Sequence, residues 1–519
     1  MILFLKVKHL FSSAAILVFV IYLMTACSDV KNNSNANVTL EAFQGYEVLP
    51  YKYNSLRIRT KIDSLIRNDS DGLTADFRTR SYYIRKSPFL WIDRHGIDHR
   101  ADTLVNYLQS IEQMGFSPRR FHVKEIESDL ARLRNLQFDE HNTINLVMAR
   151  LEYYLTKAYF RYTAGQRFGY MNPSFVFNRV DSIEPNKHDS IQRPTRYRQI
   201  FDIEMQRVNK AFFTSAIRKI QKDSLAEFLR EIQPKNSFYY TLQNALMENP
   251  SLDKHLRAKI LCNMERCRWR VADYPQKHKK YILVNIPSFR LLAIEKKDTL
   301  SMRIGCGSFK TKTPLLHSNV KRMDLNPKWF VPRSIIDKDL PHHLSRAYME
   351  SRNFYVVDRK SGREVDPSRV SLALLKEPGF SLVQRGGKGN SLGRIIFRFD
   401  NNFAVYMHDT SSRGVFSQED RGVSHGCIRV EKPFDLAVFL LKDKDKNLIS
   451  KIEYCMTADS LTDKSKIIGS IPVEPEIPLF ITYYTLYPNN SKQEFPWDSF
   501  PDVYGYDKVI YTFLDENYR

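Results

Sequence analysis

The residue best suited to covalent chemistry is Cys427, the last of the run Ser424-His425-Gly426-Cys427. A thiol attacks carbonyls as its thiolate, and a free cysteine has a pKa of about 8.5, so at neutral pH it needs a nearby base or helix N-terminus. Two imidazoles are available, those of His408 and His425. The pattern predicts a cysteine nucleophile with a histidine base.

The elements around these residues separate the two histidines. The apolar run from Phe403 to Met407 is typical of a buried strand, which puts His408 at a strand end, where it can face a cleft. His425 lies only two residues before Cys427. Residues 409–423 connect His408 to the S-H-G-C run and have the Ser, Gly, Arg and acid content of an exposed loop.

Cys427 is predicted to lie in a tight turn. Residues 428–430 are again strand-like, and residues 431–441 predict a helix with Pro433 in its first turn. In such a turn the N–H groups of Gly426 and Cys427 could converge on a developing oxyanion. The alternative is a buried cysteine that acts as a small apolar residue, but the polar and small residues around it favour catalysis.

The histidine, the spacer and the S-H-G-C run followed by an apolar residue and arginine resemble the L,D-transpeptidases with a YkuD-type catalytic domain. Other segments resemble the same family, in particular its long YcbB-like branch. These segments are Asn263–Arg266, Tyr281–Pro287, Thr313–Pro314, Asn326–Ile335, Asn390–Gly393 and Asp502–Asp507.

The resemblance implies acyl transfer on peptidoglycan stem peptides. Cys427 would attack the third residue of a tetrapeptide stem, release D-alanine and form a thioester that a neighbouring amine resolves into a 3→3 cross-link. His408 would be the base, oriented by the backbone carbonyl of Asp409, and Gly426 would supply an oxyanion N–H. It also implies acylation by carbapenems. The implied substrate-binding residues are Asn390, Gly393, Tyr406, Ser424, His425 and Arg429.

Alternatives remain open at this stage. Arg429 could form a surface salt bridge and Tyr406 could be a core aromatic. Water as the acceptor would make the protein an L,D-carboxypeptidase, and a non-catalytic wall-binding lipoprotein is a third possibility. Hydrolases of the papain kind are disfavoured because their cysteine precedes the histidine in the chain.

Composition narrows the partners. The 519 residues carry 79 Lys and Arg against 58 Asp and Glu, which gives a net charge of +21. The charge is spread along the chain without a dense basic block, so nucleic acid is a disfavoured partner. An anionic membrane surface or a cell wall that bears carboxylates suits this charge better. No C-x-x-C or H-E-x-x-H motif occurs, so we expect no metal and no cofactor. Cys262 and Cys267 would point to different helix faces, which disfavours a disulfide between them.

The N-terminus predicts export and anchoring. Residues 1–27 have a basic start, an apolar run and then Thr25-Ala26-Cys27, which indicates a secretory signal ending in a lipidated Cys27, with an uncleaved membrane anchor as the alternative. Residues 28–42 are typical of a disordered tether. We therefore expect a membrane-anchored protein on the periplasmic side of the cell envelope.

The predicted fold class is α+β. Residues 43–275 predict a mostly helical scaffold, with apolar periodicity in 104–114, 125–136, 142–161, 204–220 and 224–232, and a strand-like stretch at 81–91. Residues 276–446 predict a mainly β, sandwich-like catalytic domain with a helical lid at 335–384, and 447–519 predict C-terminal strands. The long branch inserts a peptidoglycan-binding module before Asn263, for which the chain has too few residues.

Overall fold

The computed structural model describes residues 54–93, 96–183, 194–338, 344–458, 462–489 and 495–519. The predicted signal, the tether and Cys27 lie outside these residues. Within the described part of the chain, none of the helices has the length and apolar character needed to span a membrane.

The helices of the N-terminal region are α1 Ser55–Asn68, α2 Thr74–Ile84, α3 His99–Gln109, α4 Val123–Arg134, α5 Ile144–Phe168, α6 Pro173–Phe177, α7 Lys210–Gln221, α8 Leu225–Glu231, α9 Ser237–Glu248 and α10 Lys254–Arg268. Further along are α11 Arg333–Lys338, α12 Arg346–Ser351, α13 Leu372–Lys376, α14 Pro433–Leu440, α15 Lys446–Thr457 and α16 Tyr506–Tyr518.

The strands before the lid are β1 Ile92–Asp93, β2 Gly96–Ile97, β3 Ser182–Ile183, β4 Arg196–Tyr197, β5 Phe201–Asp202, β6 Lys280–Asn285, β7 Arg290–Glu295, β8 Asp298–Gly307 and β9 Leu315–Leu325. They are followed by β10 Trp329–Phe330, β11 Phe354–Asp358, β12 Phe380–Gln384, β13 Ile395–Phe399, β14 Met407–His408, β15 Gly422–Ser424, β16 Ile428–Val430, β17 Ser470–Thr482, β18 Leu486–Pro488 and β19 Trp497–Ser499.

The scaffold is helical and is built around α5. This helix is buried along most of its length, and α1, α2 and α4 pack against it. Its apolar residues are not confined to one stripe, as expected for a helix enclosed on all sides. The segments predicted as helical overlap α3, α4, α5, α7 and α8, so the mostly helical scaffold is observed.

The strand-like stretch at residues 81–91 was a wrong prediction. Residues 81–84 form the last turn of α2. The backbone N–H groups of Leu90 and Trp91 donate to the buried Glu152 carboxylate at 2.5 and 3.0 Å. Glu152 belongs to α5, so a helix side chain accepts the hydrogen bonds that the carbonyls of a neighbouring strand would accept in a sheet. The aromatic residues are buried by packing on the helix rather than by joining a sheet.

The catalytic region is one mixed sheet that closes on itself. Its strand order is β13-β14-β16-β8-β7-β6-β17-β9, and β13 also pairs with β9. Strand β17 lies beyond the predicted domain boundary at residue 446, pairs with β6 and β9, and completes the sheet. The domain boundaries themselves stay predictions. The C-terminal part is also not only strands, since α16 packs on α10 of the scaffold.

The lid region has its own small core. Strands β10, β12 and β11 form a separate sheet, and Val331, Met349, Val356 and Leu382 are buried together beside it. The predicted helical lid is therefore a mixed α/β unit. The short segment before Asn263 forms α9, which packs on α10 and on the β18–β19 hairpin in one apolar cluster.

Candidate active site

Two short parallel strands bring the candidate catalytic residues onto one face of the sheet. In the pairing of β14 with β16, His408 is opposite Arg429, and the Ile428 N–H donates to the Tyr406 carbonyl at 3.0 Å, which brings Cys427 beside Tyr406. Side chains two residues apart on a strand share a face. Tyr406, His408, Cys427 and Arg429 therefore lie together, and the rings of Tyr406 and His408 meet edge to face with centroids 5.7 Å apart.

His408 is held as a neutral base. Its side chain is buried, with 4% of the residue exposed, and its Nδ1 is hydrogen-bonded to the backbone carbonyl of Asp409. Because a carbonyl can only accept, Nδ1 carries the proton and Nε2 keeps its lone pair. Burial, and next the positive charge of Arg429, lower the pKa of His408 to about 4, although the carbonyls of Asp409 and Leu392 favour the charged ring.

Cys427 is held as a thiol. Burial raises its pKa above the ordinary value, and contacts with Tyr406 and the charge of Arg429 act in the opposite direction with smaller effect. In the described chain no hydrogen bond joins the Cys427 sulfur to the His408 ring. Both pKa shifts therefore favour a neutral thiol and a neutral imidazole over the ion pair in the resting protein, and the role of His408 as the base stays a prediction.

Hydrogen bonds within the S-H-G-C turn fix its shape. The Ser424 hydroxyl donates to the Cys427 carbonyl at 2.6 Å and accepts from the Gly426 N–H at 3.0 Å. The Gly426 N–H thus already donates to the Ser424 hydroxyl, and Ser424 holds the turn together. The oxyanion role of Gly426 and the substrate-binding role of Ser424 stay predictions. The N–H of Cys427 makes no hydrogen bond within the described residues, so it is the oxyanion donor that this turn leaves available.

A second layer supports the turn from the neighbouring loop. Thr313 Oγ1 donates to the Gly426 carbonyl at 2.9 Å, and Thr311 Oγ1 donates to the Ser424 carbonyl at 2.7 Å. Tyr504 supports this loop in turn, because its hydroxyl donates to the Gly307 carbonyl at 2.7 Å and accepts from the Thr313 N–H at 3.1 Å. Thr313 and Tyr504 lie in segments that resemble the family, and the sequence indicated no role for them. In the structure they support the S-H-G-C turn.

Asn390 and Gly393 shape the turn before β13, and their predicted part in binding substrate stays a prediction. The buried Asn390 amide donates to the carbonyls of Arg385 and Pro327, and its oxygen accepts from the Leu392 N–H. Gly393 has φ of 64°, and a Cβ there would lie 2.3 Å from a carboxylate oxygen of Asp409. This turn packs directly against the segment that carries His408.

The remaining predicted residues differ in their surroundings. Arg429 forms no ion pair within the described chain, and its Nε is buried without a hydrogen bond, so the surface salt-bridge alternative is wrong. Tyr406 is half-buried and contacts both the thiol and Trp329 at the base of the lid. His425 is exposed on the rim.

The described residues contain no group of three or more His, Cys, Asp or Glu side chains that could hold a metal ion. The expectation of no metal and no cofactor stays a prediction.

Two known protein families match separate parts of this chain. Residues 279–449 match the family described as the L,D-transpeptidase catalytic domain, YkuD, and residues 78–246 match a family described as a scaffold domain. The chain carries a YkuD-type L,D-transpeptidase catalytic domain. The match covers the closed sheet up to the start of α15, and therefore includes both His408 and Cys427.

Relatives of this L,D-transpeptidase domain are distant. A Haemophilus influenzae protein named "Putative L,D-transpeptidase" is 29% identical over 296 residues, which are 56% of this chain and 57% of that protein. The chain therefore spans little more than half the length of this curated relative. Solved structures include an L,D-transpeptidase from Mycobacterium smegmatis, 14% identical over 39% of this chain and 58% of its own with a TM-score of 0.17. L,D-transpeptidase 1 of Mycobacterium tuberculosis is 12% identical over 39% of this chain and 61% of its own, with a TM-score of 0.16. These TM-scores are too low to support any conclusion.

Proposed function

We propose that this protein is a peptidoglycan L,D-transpeptidase that forms 3→3 cross-links through a thioester on Cys427. The observation that carries the proposal is the β14–β16 register, which gathers a thiol, a neutral imidazole, a phenol and an uncompensated guanidinium on one face. A binding protein has no need for a nucleophile beside a base.

Acylation would begin with the neutral pair. As Sγ of Cys427 attacks the carbonyl carbon of the third stem residue, its proton passes to Nε2 of His408, and the new oxyanion accepts the Cys427 N–H. The tetrahedral intermediate then collapses. The C–N bond to D-alanine breaks, and the imidazolium returns the proton to the leaving amine. The product is a thioester and free D-alanine.

Deacylation would use the same two side chains, but the sulfur is now the leaving group and an amine is the nucleophile. The side-chain amine of a second stem's diamino acid attacks the thioester carbonyl and gives its proton to His408. The C–S bond breaks, the imidazolium reprotonates the sulfur, and an amide remains as the cross-link. Arg429, whose charge faces the reacting groups, would attract the negative charge that develops in each step.

The alternatives differ in the acceptor. Water in place of the amine gives an L,D-carboxypeptidase from the same thioester, and a silent wall-binding lipoprotein would form no thioester. The location that suits any of the three is the periplasmic side of the cell envelope, with membrane attachment through a lipidated Cys27 or an uncleaved anchor, and a link to cell shape through the wall.

The proposal is tested by mass spectrometry of products and adducts. Purified tetrapeptide muropeptides should yield cross-linked dimers and free D-alanine, whereas tripeptides without dimers would indicate the carboxypeptidase. A carbapenem should add its mass to the wild-type protein and not to Cys427→Ala, and an adduct on that variant would place the nucleophile elsewhere.

Two histidine variants test which imidazole is the base. His408→Ala should lose far more turnover than His425→Ala, because His408 is buried against the reacting face and His425 is exposed on the rim. The opposite ranking would assign the base to His425.

A further inference from the structure

A cavity in the described part of the chain lies away from the S-H-G-C turn. It has a volume of about 550 Å³ and separates the scaffold from the closed sheet, with α10 and the residues after it on one side and β17 and β18 on the other. Ligand pockets commonly have about 300–1,000 Å³, so this cavity is large enough for a small ligand. None of the residues assigned above to the active site lines it.

The walls of the cavity are rich in aromatic rings. Trp269 and Tyr274 line the scaffold side, and Tyr484 and Tyr487 line the sheet side with ring centroids 6.2 Å apart. Tyr274 has 42% of its surface exposed at the rim. Aromatic faces carry partial negative charge and attract the slightly positive C–H groups on the flat faces of sugar rings. The walls therefore suit a saccharide.

The charge at the cavity is positive and not balanced by its lining. Lys235, Arg266 and Arg270 line it, and no Asp or Glu does. Arg266 is paired with Asp507 at 2.6 Å. Arg270 is bonded only to backbone carbonyls, and the exposed Lys235 forms no ion pair among the described residues. Two cations are thus left without a carboxylate partner.

We propose that this cavity binds an acidic amino sugar of a glycan strand, with the sugar rings against the aromatic walls and the carboxylate near Lys235 and Arg270. That the ligand is a glycan of the cell wall rests on the proposed function. That the ligand carries a carboxylate and a sugar ring follows from the lining of the cavity alone. Such a site would hold the polymer on the side of the molecule where the chain is too short for a separate binding module.

The test is isothermal titration of the full chain with the disaccharide N-acetylglucosaminyl-N-acetylmuramic acid, which has a lactyl carboxylate and no stem peptide. Without a stem it has no stem peptide bond for Cys427 to attack. Saturable binding is expected, about fivefold weaker in Lys235→Glu and also weakened in Tyr274→Ala. Lys222→Glu, an exposed lysine outside the cavity, makes the same charge change and should bind like the wild type.

Three results would overturn the proposal: no binding by the wild type, affinity unchanged in both cavity variants, or equal affinity for the same disaccharide with its carboxylate reduced to an alcohol. Circular dichroism of each variant shows whether it is folded. Carbapenem acylation of the same proteins reports on the proposed function separately, and the cavity variants should react like the wild type. Binding without acylation would refute the transpeptidase and keep the glycan site.

Discussion

Acidification from pH 7 to pH 5 should leave the acylation rate of Cys427 nearly unchanged. The base proposed for this step, His408, has its pKa lowered to about 4 by burial and by Arg429. The thiol pKa is raised, so Cys427 stays protonated over this whole range and does not contribute to the pH dependence. The acidic limb of the rate profile should therefore report His408 alone.

The expected size of the effect follows from the pKa. At pH 5 a base with a pKa of about 4 is neutral in about nine-tenths of the molecules, whereas one with the unperturbed value of about 6.5 is neutral in about 3%. The two cases differ about thirtyfold in rate at that pH. A measurement of ordinary accuracy separates them.

The assay is the first-order rate of carbapenem ring opening, followed by absorbance at several pH values between about 3.5 and 8. Cys427→Ala provides the blank, and circular dichroism at each pH excludes acid unfolding. An acidic limb centred between pH 6 and 7 would refute the structural reasoning, because it would require His408 to titrate as an exposed imidazole.

Arg429→Gln extends the same test. Removal of the charge should raise the pKa of His408, so the acidic limb moves to higher pH. It should also slow acylation at pH 7, because the developing negative charge loses a cation that acts on both His408 and Cys427. Arg346→Gln removes an equal charge from the exposed surface of the lid region and should leave the limb in place. A limb that does not move in Arg429→Gln would show that the guanidinium does not act on the base.

Two further predictions concern the support of the site. Tyr504→Phe leaves the buried Thr313 N–H without its acceptor and should lower the free energy of unfolding by about 1–3 kcal/mol and slow acylation. Tyr506→Phe removes a hydroxyl that has no hydrogen bond to any described residue, so this variant should be nearly neutral in chemical denaturation. Equal losses in the two variants would deny Tyr504 its bracing role. Gly393→Ala should destabilise the fold more than Gly389→Ala, because both have positive φ but only the first places a Cβ against the Asp409 carboxylate. Thermal unfolding compares them, and similar melting temperatures would contradict the predicted clash.

That His408 and Cys427 lie on neighbouring strands could be predicted from the sequence because the surroundings of each residue are local. A strand that ends at His408 and a strand that starts after Cys427 are each specified by a few neighbouring residues, and the parallel pairing between them then brings the side chains together. The helix at Pro433 was predictable for the same reason, since proline in the first turn is a local signal.

The hydrogen bonds of the turn could not be predicted in this way. Whether the Gly426 N–H is free depends on the rotamer of Ser424, and the support from Tyr504 joins residues far apart in the chain. The motifs around Thr313 and Tyr504 were visible as family likeness, which is the signal that could have marked them. The role of Asn390 is similar, because a conspicuous polar residue in a motif can serve the backbone as readily as the substrate.

The protonation state of the pair depends on burial, which the sequence pattern does not give. Burial raises the pKa of the Cys427 thiol and lowers the pKa of the His408 imidazole to about 4, so transfer of the proton before attack is unfavourable. The neutral pair suits a step in which a bound carbonyl receives the sulfur as the proton leaves. Because the thiolate is also the form that oxidants attack, a resting thiol protects Cys427 from oxidation.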